Sequence, residues 1–116
     1  MSGNANYEQE RAAAIAAVRA ASRVCRSVQS AITPDVLEKK DRSPVTVADF
    51  ASQAMICRAI KERFPRDPII GEEDASALSS AESAPFLVRV REELGRAGIE
   101  ADDTRICEWI DHGNAD

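Results

Sequence analysis

Two acidic positions stand where hydrolytic chemistry is usually built. Asp49 closes the run Val45-Thr46-Val47-Ala48-Asp49, and Glu72 follows Ile69-Ile70-Gly71, with Glu73 and Asp74 directly after it. Each acid ends a short β-branched stretch. If the two stretches are neighbouring strands, both carboxylates project from one edge of a sheet, where α/β folds place active sites. Carboxylates held close repel, and a hard divalent cation with oxygen ligands, Mg²⁺ above all, relieves that repulsion. A plainer reading is equally consistent with position: Asp49 caps a helix, and Glu72, Glu73 and Asp74 form a solvated acidic turn. By spacing alone the plainer reading carries more weight, because aspartates at helix starts are abundant.

Other reactive side chains point less clearly to chemistry. His112 is the single histidine and has no histidine or cysteine at ligand spacing, which favours a loop or helix-end role. Cys57 lies within a helical pattern and reads as a small core residue rather than a nucleophile. Lys39 and Lys40 are placed to approach a phosphate or simply to solvate a loop. Trp109 reads as packing, and Arg19, Arg23 and Arg26 as an ordinary solvated helix face.

The elements that must position the acids follow from periodicity. Ile15, Val18, Ser22, Cys25, Val28 and Ile32 recur at helical steps, predicting an amphipathic helix that starts near Asn4 to Tyr7 and stops by Thr33, ahead of Pro34. Asp35 to Ser43 is mostly charged and polar and reads as an exposed loop. Val45-Thr46-Val47 alternates like a strand. From Asp49 onward Phe50, Ala54, Met55, Ile56, Ala59, Ile60 and Phe64 return to a helical period, which ends before the turn Pro65-Arg66-Asp67-Pro68. Ile69-Ile70 predicts a short strand closed by Gly71. A third helix carries Phe86, Leu87, Val90 and Leu94, with Pro85 in its first turn and its end near Gly95 or Gly98. A last short helix, capped by Asp102 or Asp103, holds Ile106, Trp109 and Ile110 and stops at Gly113.

Composition excludes several classes. Of 116 residues, 51 are hydrophobic and 20 of these are alanine, leaving 31 larger apolar side chains and a thin core. A net charge of −5 excludes a basic nucleic-acid binder, while 30% charged residues fall short of a disordered acidic tail. The longest apolar run, Ala12 to Val18, is far shorter than the ~20 residues a membrane span needs. Cys25, Cys57 and Cys107 are odd in number and widely spaced, and Glu8 and Glu10 are unlike a signal or transit peptide. A reduced, cytoplasmic setting is expected. With no repeat and no linker, residues 1–116 are expected to form part of one domain.

The longer motifs resemble a known family. Lys39-Lys40-Asp41-Arg42-Ser43-Pro44-Val45-Thr46-Val47-Ala48-Asp49, followed after one helix by Phe64-Pro65 and Ile70-Gly71-Glu72-Glu73-Asp74, is similar to the N-terminal part of the inositol monophosphatase superfamily of lithium-sensitive, magnesium-dependent phosphatases. The Lys-x-Asp-x-Ser-Pro-Val-Thr form is closer to its 3′(2′),5′-bisphosphate nucleotidase branch. Ile110-Asp111-His112-Gly113-Asn114 resembles the segment preceding the catalytic core in fungal-type members of that branch.

The resemblance implies an α/β fold of the layered sugar-phosphatase type, alternating α and β layers, of which this chain supplies mostly the N-terminal helices and first short strands. It implies that Glu72 ligates metal, that Asp49 helps activate the attacking water and meets a further metal, that Thr46 lies near that site, and that Glu73 is a supporting acid behind it. Two or three Mg²⁺ ions would generate hydroxide, bind phosphate oxygens and stabilise the leaving alkoxide. The implied substrate is a small phosphate ester: adenosine 3′,5′-bisphosphate, losing its 3′-phosphate to give AMP, or 3′-phosphoadenylyl sulfate. An inositol polyphosphate 1-phosphatase or monophosphatase activity shares both motifs, and a non-catalytic helical interaction module is the alternative of another class. Neither nucleic acid nor membrane is an expected partner. The family's Asp-Pro-(Ile/Val)-Asp-Gly-Thr and later Trp-Asp motifs do not occur in these 116 residues, so this chain alone is expected to be inactive.

Overall fold

A computed structural model describes residues 7–29, 36–38 and 44–114. Helix α1, Glu8–Gln29, carries Glu8 and Glu10 in its first turn and Arg26 in its last, the charge order that complements a helix dipole. Its buried face is Ala13, Ala17, Ala21, Val24 and Val28. This corrects the expected stripe: Ile15 is 41% exposed, Val18 56%, and Ser22 is exposed as well, while Ile32 lies outside the described residues. Alanines four apart make a flat ridge that lets two helix backbones approach closely, and α1 uses it to pack along the next helix. Cys25 Sγ sits 3.2 Å from Ser52 Oγ across that contact.

Strands β1, Val36–Glu38, and β2, Pro44–Thr46, pair antiparallel with Val36 opposite Thr46 and Glu38 opposite Pro44. The expected loop over Asp35 to Ser43 therefore contains a strand, because Leu37 packs against the core and anchors it. The rest of that segment, with Lys39 and Lys40, lies outside the described residues. Pro44 sits at the first position of β2, where its missing N–H costs the ladder least.

The expected strand over Val45-Thr46-Val47 ends one residue early, and helix α2 runs Val47–Arg63. A capping box sets the boundary. The Thr46 hydroxyl accepts from the Asp49 N–H while the Asp49 carboxylate accepts from the Thr46 N–H, so Val47 is already in the first turn. Helix α2 ends at Phe64 and the Pro65-Arg66 turn, as proline chemistry requires. Ile69-Ile70 does not form a strand beside β2. Ile70 instead makes a single antiparallel bridge to Asn114, and the Gly71 N–H donates to the Gly113 carbonyl. Two β-branched residues between Pro68 and Gly71 are too few to sustain a ladder.

Two 3₁₀ turns, Ala75–Leu78 and Ala81–Ser83, lead into helix α3, Ala84–Arg96, with Pro85 in its first turn. Its end is a Schellman motif. The Ile99 N–H donates to Leu94 O at 2.9 Å, and the Gly98 N–H donates to Gly95 O at 3.0 Å. Gly98 has φ +85°, a left-handed conformation that costs glycine nothing. Ile99 packs back on the core beside Leu94. Helix α4, Asp103–Asp111, is capped by Asp102, whose carboxylate accepts from the Arg105 N–H at 2.8 Å. Arg91 and Asp103 join α3 to α4 at 2.6 Å.

Helix α2 is the hub, packing against α1, α3 and α4. One buried cluster runs through all four helices, with Phe50, Val90, Leu94, Ile106 and Ile110 fully enclosed. The Phe50 and Phe86 rings meet edge to face at 5.6 Å and 84°. Trp109 is buried packing, with the Arg58 guanidinium 5.7 Å from its ring centre.

Candidate active site

The capping box that starts α2 also fixes Asp49. Its Oδ2 accepts from the Thr46 N–H at 2.8 Å and from the Thr46 hydroxyl at 3.1 Å, while Oδ1 makes no hydrogen bond among the described residues. The residue is exposed. Thr46 thus holds one carboxylate oxygen and leaves the other open. The plainer reading of Asp49 as a helix-starting residue is present in the structure, and it leaves half of the carboxylate unused.

Glu72 projects from the turn after Gly71, is exposed, and makes no hydrogen bond or ion pair among the described residues. Its neighbour Glu73 behaves differently. At 4% exposure it is enclosed, so the acidic run is not a uniformly solvated turn. Asp74 accepts from the Ser76 N–H at 2.7 Å and caps the first 3₁₀ turn.

Asp49, Glu72 and Glu73 line one cleft of about 280 Å³, together with Gln53 and Cys57. Asp49 and Glu72 do not meet through neighbouring strands, the route the sequence suggested, and Glu73 lies with them. They meet because Gln53, one turn after Asp49 on the same face of α2, binds the backbone of Glu73 from both sides: its Nε2 donates to Glu73 O at 2.8 Å and its Oε1 accepts from the Glu73 N–H at 3.0 Å. Nε2 also donates to Ile110 O at 2.8 Å. Asp111 adds a second tie, its Oδ1 accepting from the Ala75 N–H at 2.8 Å and from Asn114 Nδ2 at 3.1 Å. Sequence reasoning missed Gln53. The available signal was an amide side chain in the helical stretch Phe50 to Ile60, between Ser52 and Ala54 and one turn after Asp49.

The remaining candidates take structural places. Burial pushes the Cys57 thiol pKa up, the opposite of nucleophile activation. His112 is the C-cap of α4. The Arg19, Arg23 and Arg26 side chains are exposed.

No three histidine, cysteine or acidic side chains among the described residues converge as a metal-ligand set. Asp49 and Glu72 nonetheless offer the donor type and number for one kind of site. Mg²⁺ is commonly held by one or two carboxylates, with water and substrate phosphate oxygens completing the octahedron.

A sequence model described as the inositol monophosphatase family matches residues 6–111, nearly the whole chain. The chain belongs to the inositol monophosphatase family. The match spans α1 to α4 and includes all three acids of the cleft. Family membership carries an α/β fold; the described residues are mostly helical, with one two-stranded hairpin.

Among curated relatives, 3′(2′),5′-bisphosphate nucleotidase 1 of Candida albicans is 34% identical across 94% of this chain and 34% of its own length. The 3′(2′),5′-bisphosphate nucleotidase of Schizosaccharomyces pombe is 41% identical across 63% of this chain and 22% of its own length. A putative mitochondrial 3′(2′),5′-bisphosphate nucleotidase of Arabidopsis thaliana is 31% identical across 97% of this chain and 29% of its own. This family member spans about a third of the length of the relatives it matches.

Proposed function

We propose that this chain is the N-terminal part of a single-domain, Mg²⁺-dependent phosphatase that hydrolyses the 3′-phosphate of adenosine 3′,5′-bisphosphate, with 3′-phosphoadenylyl sulfate as a second substrate. The supporting observation is that Asp49 and Glu72 line one cleft, each with carboxylate oxygen to spare, in a chain whose relatives are named bisphosphate nucleotidases. Two or three Mg²⁺ ions, when bound, lower the pKa of water and offset charge on the phosphate.

The chain's own residues hold that chemistry in place. Glu72, which makes no hydrogen bond or ion pair among the described residues, would offer its carboxylate as a ligand. Asp49 would offer Oδ1, the oxygen its Thr46 contacts leave open, to a cation and the attacking water, and Thr46 fixes its orientation by holding Oδ2 with an N–H and a hydroxyl. Glu73 supports the turn from its buried place behind Glu72. In the net reaction the water oxygen joins phosphorus, the bond from phosphorus to O3′ breaks, and AMP and inorganic phosphate leave. No helix of the described residues is long and apolar enough to cross a membrane, and the three cysteines are free. A cytoplasmic setting fits both.

Titration of the ¹⁵N-labelled chain with Mg²⁺ tests the site. The amides of Asp49 and of the Glu72 turn shift in the wild type, and the shifts disappear in Glu72→Gln and Asp49→Asn. A wild-type spectrum unmoved at millimolar Mg²⁺, or an unchanged response in Glu72→Gln, would refute the assignment.

A further inference from the structure

The side-chain amide of Gln53, on α2, has its partners on two other elements at once, the acidic turn and the end of α4. Both hydrogens of Nε2 are used, one on Glu73 O and one on Ile110 O, and Oε1 takes the Glu73 N–H. The orientation of the amide is dictated by those partners, because a backbone N–H needs an oxygen and two carbonyls need N–H donors. An amide that pairs with both backbone groups of one residue acts as a one-residue strand. It replaces the ladder that Ile69-Ile70 is too short to make.

Two glycines close around the same group. A Cβ at Gly71 would lie 2.6 Å from Gln53 Oε1, and a Cβ at Gly113 would lie 2.7 Å from Gln53 Nε2. These glycines are joined to each other by the hydrogen bond from Gly71 N–H to Gly113 O. Gly71 immediately precedes Glu72, and Gly113 follows the end of α4. The space a side chain would take at either position is filled by the Gln53 amide.

We propose that Gln53 is the positioning residue of the acidic turn: its amide, seated between Gly71 and Gly113, clips the backbone of Glu73 and the end of α4 to α2 and thereby sets Glu72 beside Asp49. Gln53 touches no reacting atom in this scheme and acts through the backbone on either side of Glu72. Its bearing on metal binding rests on the reading of Asp49 and Glu72 given above, whereas the clip stands on its own bonds.

The cost of Gly71→Ala measures the clip. A free side-chain end swings away from a new methyl group, but one held by three hydrogen bonds does not. In the full 116-residue chain, Gly71→Ala should therefore lower the folding equilibrium constant roughly tenfold with Gln53 present and only about twofold in a Gln53→Ala background. Equal effects in the two backgrounds would overturn the proposal. Should the double variant fail to fold, amide exchange decides. The Gln53 side-chain protons and the Glu73 N–H exchange at least about tenfold more slowly than the side-chain protons of Gln9 and Gln29, which lie on the exposed ends of α1. In Gln53→Met, which keeps the length and loses all three bonds, the Glu72 and Glu73 amide resonances move while the far-UV signal stays helical. Rapid exchange at Gln53 in the wild type, or unmoved Glu72 and Glu73 resonances in Gln53→Met, sinks the clip. Slow exchange without any Mg²⁺ response leaves the clip standing and removes the metal reading instead.

Discussion

Asp49 shows how one side chain serves folding and chemistry together. Its Oδ2 is committed to the Thr46 cap and its Oδ1 makes no hydrogen bond among the described residues, so the helix start orients the carboxylate and leaves one oxygen open. Cys57, in the same cleft, is set apart by burial. The thiol keeps its proton in the folded chain at pH values where the unfolded chain has lost it. Stability from this source is full below the unfolded pKa near 9.0 and falls as pH rises through the higher folded value. Cys107 adds to the same trend, first through burial and then through the Asp111 and Asp103 carboxylates. Thermal melts at increasing alkaline pH should show a decline that is smaller in a Cys57→Ala, Cys107→Ala double variant. An alkaline slope of equal size in the double variant would assign the decline to other groups. Alkylation of Cys57 should likewise await unfolding.

At the scale of the element, α1 decides its packing by size rather than by hydrophobicity. Ile15 and Val18 are more apolar than Ala13, Ala17 and Ala21, yet the alanines are buried. Close approach along α2 engages helix backbone and the larger Val24 and Val28 together, and a branched side chain in the alanine row would hold the helices apart. Ala17→Leu should destabilise the chain by about 1–3 kcal/mol through overpacking. Val18→Ser should change stability by no more than about 0.5 kcal/mol. Urea denaturation checks both, and the opposite order would restore the Ile15 and Val18 face as the buried one.

At the scale of the molecule, one cluster through four helices gives this chain a core of its own, centred on α2. Leu94, fully buried on α3, should cost about 2–5 kcal/mol as Leu94→Ala, read as a shift of a single cooperative melt. The same chain lines the cleft with three acidic residues, Asp49, Glu72 and Glu73, and contains no Asp-Pro-(Ile/Val)-Asp-Gly-Thr. Purified on its own it should release no phosphate from adenosine 3′,5′-bisphosphate. Release that is lost in Glu72→Ala would show that the carboxylates present here suffice. The thin core counted from composition is gathered into one cluster that runs through all four helices: alanine allows the close α1 contact, and the larger apolar groups, Phe50 and Phe86 among them, meet within it.

Local chemistry made much of this legible from the residues alone. Proline and glycine positions marked the ends of α2 and α3, Asp102 marked the start of α4, and the Thr46 to Asp49 and Gly71 to Asp74 motifs marked family and candidate site. These features depend on neighbours within a few residues, so the sequence expresses them directly. The buried face of α1, the strand at Val36–Glu38 and the enclosure of Glu73 depended on distant partners and emerged only from the tertiary structure. So did the route by which the acids meet. Gln53 lies 20 residues from Glu73 and 57 from Ile110, and a hydrogen bond across such separations leaves no periodic trace in a sequence. Only the folded chain determines which backbone groups come within reach of that amide.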